Sequence, residues 1–200
     1  MARNSNLIYS HNMKILIICG SIAQKSHTRA LLQYCETLLT DRNIEVEFWD
    51  LLTRPLSFVI PEFHKDPTQT PNENVKALNT AVKNADGIIL GSPLYHGSYS
   101  GVLKNALDNL PYDAFKNKPV GLVSNGGMRN GAHPCEHLRL VVRALYGYVL
   151  QSQIGTGEKD YKEVVDKYEL EEKEIKDRAV RLVDELITFA SVLLERPINR

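Results

Sequence analysis

Three hydroxyl side chains lie close together near the start of the chain. Ser21, Ser26 and Thr28 follow the apolar run Lys14–Cys19 and precede a segment with helical periodicity. Hydroxyl donors around a helix N-terminus, where backbone N–H groups are free, suit a phosphate dianion. The structural alternative is that Ser26 caps the helix and Ser21 shapes a turn. The segment has neither the Walker A pattern nor GxGxxG.

Two further segments offer groups that could bind a ligand. The first contains Tyr95, Gly97 and Ser98 after an apolar run, and such a loop can wrap a flat heteroaromatic ring with its backbone amides. The second, residues 124–131, has three glycines, which free backbone N–H groups to face a ligand. The alternatives are plain turns, with Tyr95 covering the core and the glycines allowing tight bends.

The spacing of apolar residues predicts the elements that carry these loops. Apolar runs and alternation predict strands, and a period of 3.6 residues predicts helices. The predicted strands are residues 14–19, 44–49, 86–91, 120–124 and 148–154. The predicted helices are residues 30–39, 72–84, 99–109, 137–146 and 164–194, with a break near Leu170 as an alternative in the last. Residues 51–71 contain four prolines and are predicted to form a long irregular connection.

Strands that alternate with helices indicate an α/β fold with a parallel sheet and helices on both of its faces. In such folds, ligands bind beyond the carboxyl ends of the strands, where the strand order reverses. Each of the three segments follows a predicted strand. We therefore expect them to lie together at one edge of the sheet.

Charge balance excludes several classes of function. The 200 residues include 24 Lys and Arg and 24 Asp and Glu, so the formal net charge is zero. A nucleic-acid binder needs a basic surplus to displace the counterions of the phosphates. The balance also disfavours a polybasic membrane anchor and a strongly acidic electron carrier. We predict no nucleic-acid partner and no membrane partner.

The cysteines bear on the location of the protein in the cell, and residues 1–12 bear on its domain organisation. The three cysteines lack CxxC spacing, so we predict no disulfide framework, no metal site and a cytoplasmic protein with free thiols. Cys135, in a polar stretch, is the candidate for a reactive thiol. Residues 1–12 are predicted to be a flexible extension that precedes a single domain, residues 13–200.

The motifs resemble those of the NADPH-dependent FMN reductase family. Its phosphate loop reads Gly-Ser-x-Arg-x-x-Ser-x-Thr, and residues 20–28 match this pattern except at Ala23. Residues 92–98 and 101–108 resemble its flavin loop and the helix that follows, and the resemblance spans about residues 14–155. It implies a flavodoxin-like three-layer sandwich whose five-stranded parallel sheet has the order 2-1-3-4-5.

The resemblance also implies the reaction. NADPH would pass a hydride to bound FMN and then to a small acceptor, which could be a flavin, a quinone, an azo compound or a metal oxyanion. No side chain is obligatory for the hydride step, so none is predicted to be catalytic. Arg129 and Lys104 are candidate contacts for the phosphates of NADPH, although a structural role is favoured for Lys104.

The site residues implied by the resemblance fall into two groups. The FMN phosphate would be held by Ser21, Ser26, His27 through its backbone amide, and Thr28. The isoalloxazine ring would be lined by Pro93, Leu94, Tyr95, His96, Gly97 and Ser98, with Ser124, Gly126 and Gly127 at its other edge.

Two positions depart from the family pattern. Ala23 stands where the family often has an arginine on the phosphate, so one charge-assisted contact is absent. Either Lys25 or Gln24 partly replaces the contact of the missing arginine, or FMN binds more weakly. His96 replaces the usual asparagine. The family usually forms dimers or tetramers, so we expect a homodimer or a homotetramer.

Two other functions compete with the reductase. A flavodoxin-like electron carrier or flavin-binding sensor would lack its own reaction with NADPH, but flavodoxins carry an acidic surplus and this chain is neutral. Alternatively, the phosphate loop serves another mononucleotide and no flavin binds.

Overall fold

The computed structural model describes residues 13–127 and 131–195. Its main sheet has five parallel strands in the order β2-β1-β3-β4-β5, which confirms the predicted topology. These strands are β1 (Lys14–Cys19), β2 (Glu45–Asp50), β3 (Gly87–Pro93), β4 (Pro119–Asn125) and β5 (Tyr148–Thr156). The predictions for the extension 1–12 and for Arg129 lie outside the described residues.

Within the described residues, five α-helices cover the two faces of the sheet. They are α1 (His27–Thr40), α2 (Glu73–Asn84), α3 (Gly101–Asp108), α4 (Ala132–Ala144) and α5 (Lys173–Glu195). Helices α1 and α5 pack on one face with Ile15 and Ile17, while α2, α3 and α4 pack on the other with Leu16 and Ile18. Strand β1 is thus buried on both faces, which explains its unbroken apolar run. Among these helices, none is both long enough and apolar enough to cross a bilayer.

The prediction of a helix over residues 164–194 is wrong at its beginning. Strands β6 (Tyr161–Val164) and β7 (Lys167–Leu170) form an antiparallel hairpin there, and α5 begins only at Lys173. The charged composition concealed a period of two, in which Tyr168 and Leu170 turn towards the core cluster beneath α1. We call this pair of strands the hairpin below.

Helix α4 begins earlier than predicted. It starts at Ala132 rather than at 137, with Pro134 in its first turn. A proline is tolerated there because the N–H groups of the first turn have no partner within the helix.

The proline-rich connection after β2 is fastened to α3. The side chain of Asn105 accepts a hydrogen bond from the backbone N–H of Val59 at 3.1 Å and donates one to the carbonyl of Ser57 at 2.9 Å. Asn109 donates a second bond to the Ser57 carbonyl at 3.2 Å. Asn105 on α3 and Asn109, the C-cap of α3, therefore hold the connection in place.

Candidate functional site

The three predicted loops lie together at the carboxyl edge of the sheet. The backbone N–H of Gly20 donates to the carbonyl of Gly91 at 2.7 Å, and the hydroxyl of Ser100 donates to the carbonyl of Gly20 at 2.6 Å. The N–H of Leu94 donates to the carbonyl of Asn125 at 2.8 Å. Direct hydrogen bonds thus join the loops after β1, β3 and β4 into one surface at the predicted switch point.

Arg29 determines the conformation of the loop after β1, residues 20–28. Its guanidinium donates to the carbonyls of Ser21 at 3.0 Å, Ala23 at 2.7 Å and Gln24 at 3.2 Å. It also forms a two-point ion pair with Asp50, at 2.6 and 3.1 Å. Arg29 was not among the predicted site residues, because its partner lies at the end of the next strand and no motif marks either of them.

The backbone N–H groups of the same loop have no acceptor in the described part of the chain. No hydrogen bond within residues 13–127 and 131–195 uses a backbone N–H of residues 21–28. Because backbone donors must be paired, these groups meet solvent or a bound ligand. Their number, together with the N-terminus of α1, fits the requirements of a phosphate group.

The three hydroxyl residues occupy the inner side of this loop. Ser21, Ser26 and Thr28 are buried. The Ser26 hydroxyl accepts a hydrogen bond from the Arg29 N–H at 3.1 Å, which confirms that Ser26 is the N-cap of α1. A cap and a phosphate ligand are compatible roles, since a serine oxygen has a donor hydrogen as well as two lone pairs.

The hairpin covers the outer side of the loop. The His27 ring stacks on Tyr168 with centroids 3.7 Å apart and lies 4.8 Å from the ring of Tyr161. Burial lowers the pKa of His27, which favours a neutral imidazole in this stack. Lys25 forms an ion pair with Glu163, so the amine that could replace the missing arginine is turned towards the hairpin.

The loop after β3 ends in a tight two-residue turn. Tyr95 and Ser98 exchange backbone hydrogen bonds of 2.9 and 3.1 Å across His96 and Gly97. Both central residues have positive φ, 49° at His96 and 86° at Gly97, as a type I′ turn requires. The left-handed conformation suits the asparagine that the resemblance places at position 96, and histidine is also among the non-glycine residues that adopt it more often than most.

The predicted residues of this turn are accessible, unlike those of the phosphate loop. Tyr95, His96 and Gly97 are exposed, and Ser98 is half-buried. The Ser98 hydroxyl lies 2.9 Å from Nδ1 of His137 on α4. Pro93 and Leu94, also half-buried, lead from the end of β3 into the turn.

The loop after β4 is tied into the protein interior. The hydroxyl of Ser124 hydrogen-bonds the carbonyl of Gly131. The N–H of Gly126 donates to the carbonyl of Thr156 at 2.8 Å, and that of Gly127 donates to the side chain of Asn125 at 3.0 Å. These groups are already satisfied within the chain, so the residues shape the loop by these bonds.

A buried polar network supports this loop from below. The Asn125 amide donates to the Thr156 hydroxyl at 3.1 Å, and that hydroxyl lies 2.9 Å from the phenol oxygen of Tyr161. Because Tyr161 also contacts His27, the network connects the loop after β4 with the phosphate loop. Thr156 and Tyr161 were not among the predicted site residues, because no sequence motif marks either of them.

The surroundings of the remaining candidates, Cys135 and Lys104, favour structural roles for both. Cys135 is fully buried, and burial raises the pKa of its thiol to about 11, which leaves it protonated and unreactive at neutral pH. Lys104 forms an ion pair with Asp108 at 2.6 Å, in keeping with the structural role favoured for it. Within residues 13–127 and 131–195, no cluster of three His, Cys, Asp or Glu side chains could hold a metal ion.

Comparison with known proteins gives consistent matches. Residues 13–160 match the family model for NADPH-dependent FMN reductases. An FMN-dependent NADPH-azoreductase of Staphylococcus saprophyticus is 43% identical over 178 residues, which cover 88% of this chain and 95% of the relative. An FMN-dependent NADPH-azoreductase of Staphylococcus aureus is 41% identical over 180 residues, covering 90% and 96%.

Solved structures agree on the fold. A flavoenzyme NAD(P)H:acceptor oxidoreductase from Paracoccus denitrificans superimposes with a TM-score of 0.70 at 20% sequence identity, covering 90% of this chain and 98% of that one. At this identity the similarity shows the flavodoxin-like architecture.

Proposed function

Because the chain belongs to the NADPH-dependent FMN reductase family, we propose that it reduces aromatic azo compounds with NADPH, through FMN held at the carboxyl edge of the sheet. Membership establishes an oxidoreductase that uses FMN and NADPH and reduces a small acceptor. The azo acceptor is supported by the two azoreductase relatives, which match this chain over nearly their full lengths at 41–43% identity.

The residues described above provide the two ends of the FMN site. Ser21, Ser26 and Thr28, with the unpaired N–H groups around His27, would hold the phosphate. When bound, FMN accepts a hydride from NADPH and passes the reducing equivalents to the acceptor. The ring would be lined by Pro93, Leu94, Tyr95, His96, Gly97 and Ser98, and bordered by Ser124, Gly126 and Gly127.

The pair formed by Ser98 and His137 can hold a proton at the rim of this site. Reduction of an azo or quinone acceptor takes up a proton together with the hydride. His137 is exposed on α4, and its Nδ1 lies 2.9 Å from the Ser98 hydroxyl. The pair therefore connects solvent with the proposed ring pocket, and Ser98 would present the proton that His137 supplies.

Replacing His137 with glutamine tests this role. We expect reoxidation of the reduced protein by a quinone to slow about 10-fold, because general acid assistance is lost. Reduction by NADPH and the affinity for FMN should change less than about 3-fold, as neither needs this proton. Stopped-flow spectroscopy separates the two half-reactions. His133→Gln, one helical turn earlier and also exposed, is the matched control, and equal slowing of both half-reactions would contradict the proposal.

Two spectroscopic measurements test the function as a whole. The purified protein should show visible flavin bands, either as isolated or after addition of FMN. Mixed with NADPH without oxygen, these bands should bleach rapidly, and a sulfonated azo dye should then restore them. A protein that takes up no flavin would overturn the proposal. One that binds flavin but stays oxidised with NADPH would favour the electron carrier or sensor.

The remaining expectations concern assembly and location. We propose a single domain beginning at residue 13, a homodimer or homotetramer, and a cytoplasmic location. The assembly follows from the usual dimers or tetramers of the family, and the exposed side chains of Phe58 (85% exposed), Tyr112 (65%) and Leu140 (71%) are available for a contact between subunits.

A further inference from the structure

We propose that Arg29 is a positioning residue that makes the site selective for FMN over riboflavin. It would do so from behind the phosphate loop, by holding the loop carbonyls inward so that the N–H groups remain available to the phosphate. This inference rests on the proposed position of the FMN phosphate at residues 21–28.

All five N–H donors of the Arg29 guanidinium have acceptors. Nε and one hydrogen of Nη2 bind the carboxylate of Asp50, while the other hydrogen of Nη2 binds the carbonyl of Ser21. The two hydrogens of Nη1 bind the carbonyls of Ala23 and Gln24. A guanidinium has five donors in a fixed planar arrangement, so this set of bonds fixes its position and that of the loop.

The anchor of Arg29 is itself rigid. Asp50 ends β2 and also accepts a hydrogen bond from the backbone N–H of Leu52 at 3.0 Å. The Arg29 and Asp50 side chains are only 13% and 15% exposed. Partial burial strengthens the pair relative to a surface ion pair, and its two-point geometry fixes orientation as well as distance.

A lysine could not replace this arrangement. Its ammonium group is a compact charge with three donors on a flexible stem, whereas Arg29 bridges one carboxylate and three carbonyls at once. With lysine at this position, at least one carbonyl of the loop would lose its partner. The loop could then turn carbonyl oxygens, which repel a phosphate, towards the open side.

Residues 20–28 offer the phosphate no free cationic side chain. Ala23 stands where the resemblance places an arginine, and Lys25 is held by Glu163 of the hairpin. The charge of the Arg29 side chain is balanced by Asp50, so its effect is exerted through the backbone. Discrimination between FMN and riboflavin should therefore depend on the conformation of the loop.

The test compares affinities for FMN and riboflavin, which share the ring and the ribityl chain and differ in the phosphate. Dissociation constants are measured by titrating flavin-free protein and following flavin fluorescence. For Arg29→Lys and for the charge-neutral pair Arg29→Gln/Asp50→Asn, we expect FMN binding to weaken at least about 30-fold, while riboflavin binding changes less than about 3-fold.

The matched control removes a similar ion pair just beyond the C-terminal end of α1. Arg42 binds Asp184 at 2.9 Å and the carbonyl of Leu38 at 2.7 Å, away from the phosphate loop. Arg42→Gln/Asp184→Asn should leave both flavin affinities unchanged. Melting curves verify folding, and Asp50→Asn, which keeps the three bonds from Arg29 to the carbonyls, provides a milder variant if the others do not fold.

The outcomes separate this inference from the proposed function. If Arg29→Lys keeps its preference for FMN, or if both flavins weaken equally, Arg29 does not set phosphate selectivity. For Asp50→Asn, a smaller loss confined to FMN supports the inference, and equal loss of both flavins contradicts it. If Ser26→Asp also leaves FMN binding intact, the phosphate itself lies elsewhere and the proposed site is wrong.

Discussion

Replacing Ser26 with aspartate is expected to abolish FMN retention while leaving the fold intact. The Ser26 hydroxyl caps α1 by accepting the Arg29 N–H at 3.1 Å, and aspartate caps helices about as well as serine does. The new carboxylate would lie beside the proposed phosphate. At about 4 Å and an effective dielectric constant of about 20, two like charges repel by about 4 kcal/mol. We therefore expect FMN affinity to fall at least about 100-fold.

The controls for this variant isolate the added charge. Ser26→Asn provides a neutral cap of similar size and should retain most of the FMN affinity. Riboflavin, which has no phosphate, should bind Ser26→Asp nearly as well as it binds the unaltered protein. Fluorescence titration gives both constants, and melting curves report the fold. If FMN still binds Ser26→Asp with its original affinity, the phosphate does not lie at this helix N-terminus.

Features confined to one short stretch of sequence could be predicted. The apolar run of β1 indicates that this strand is buried on both faces of the sheet. The order of the strands follows from the family resemblance. The N-cap at Ser26 was predictable as an alternative because capping is a local interaction. The turn at His96 and Gly97 is local as well, although only the structure shows that both residues have positive φ.

Features that depend on distant partners could not be predicted. Arg29 resembles any polar residue in the first turn of a helix until Asp50 is brought to it by the parallel pairing of β1 and β2. The same holds for Thr156, which is bonded to Asn125 and Tyr161, and for Tyr161, which contacts His27, so that together they join separate loops. In the hairpin, charged residues masked the alternation of Tyr168 and Leu170 along β7.

The two ends of the proposed site are therefore stabilised in different ways. At the phosphate end, one arginine orients the backbone of a loop, so substitutions there should affect FMN more than riboflavin. At the ring end, the loops after β3 and β4 are held by backbone contacts with each other and with β5. Substitutions that displace those loops should weaken the binding of both flavins.

Replacing Gly131 with alanine is expected to show this second behaviour. A Cβ atom at Gly131 would lie 2.7 Å from the backbone nitrogen of Gly126 and 2.8 Å from the carbonyl oxygen of Thr156. Both are backbone atoms in the contact that holds the loop after β4 against β5, so the loop must move. Overpacking of this kind costs about 1–3 kcal/mol. We expect the melting temperature to fall by about 3–10 °C.

Flavin binding should follow the displaced loop. For Gly131→Ala we expect FMN and riboflavin to weaken by similar factors, about 10- to 100-fold, because the loop borders the ring that both share. Gly101→Ala is the matched control, since no atom lies within 4 Å of a Cβ at that position, at the first residue of α3. Loss of FMN binding alone would contradict the assignment of this loop to the ring. Unchanged binding of both flavins in a destabilised protein would place the ring away from it.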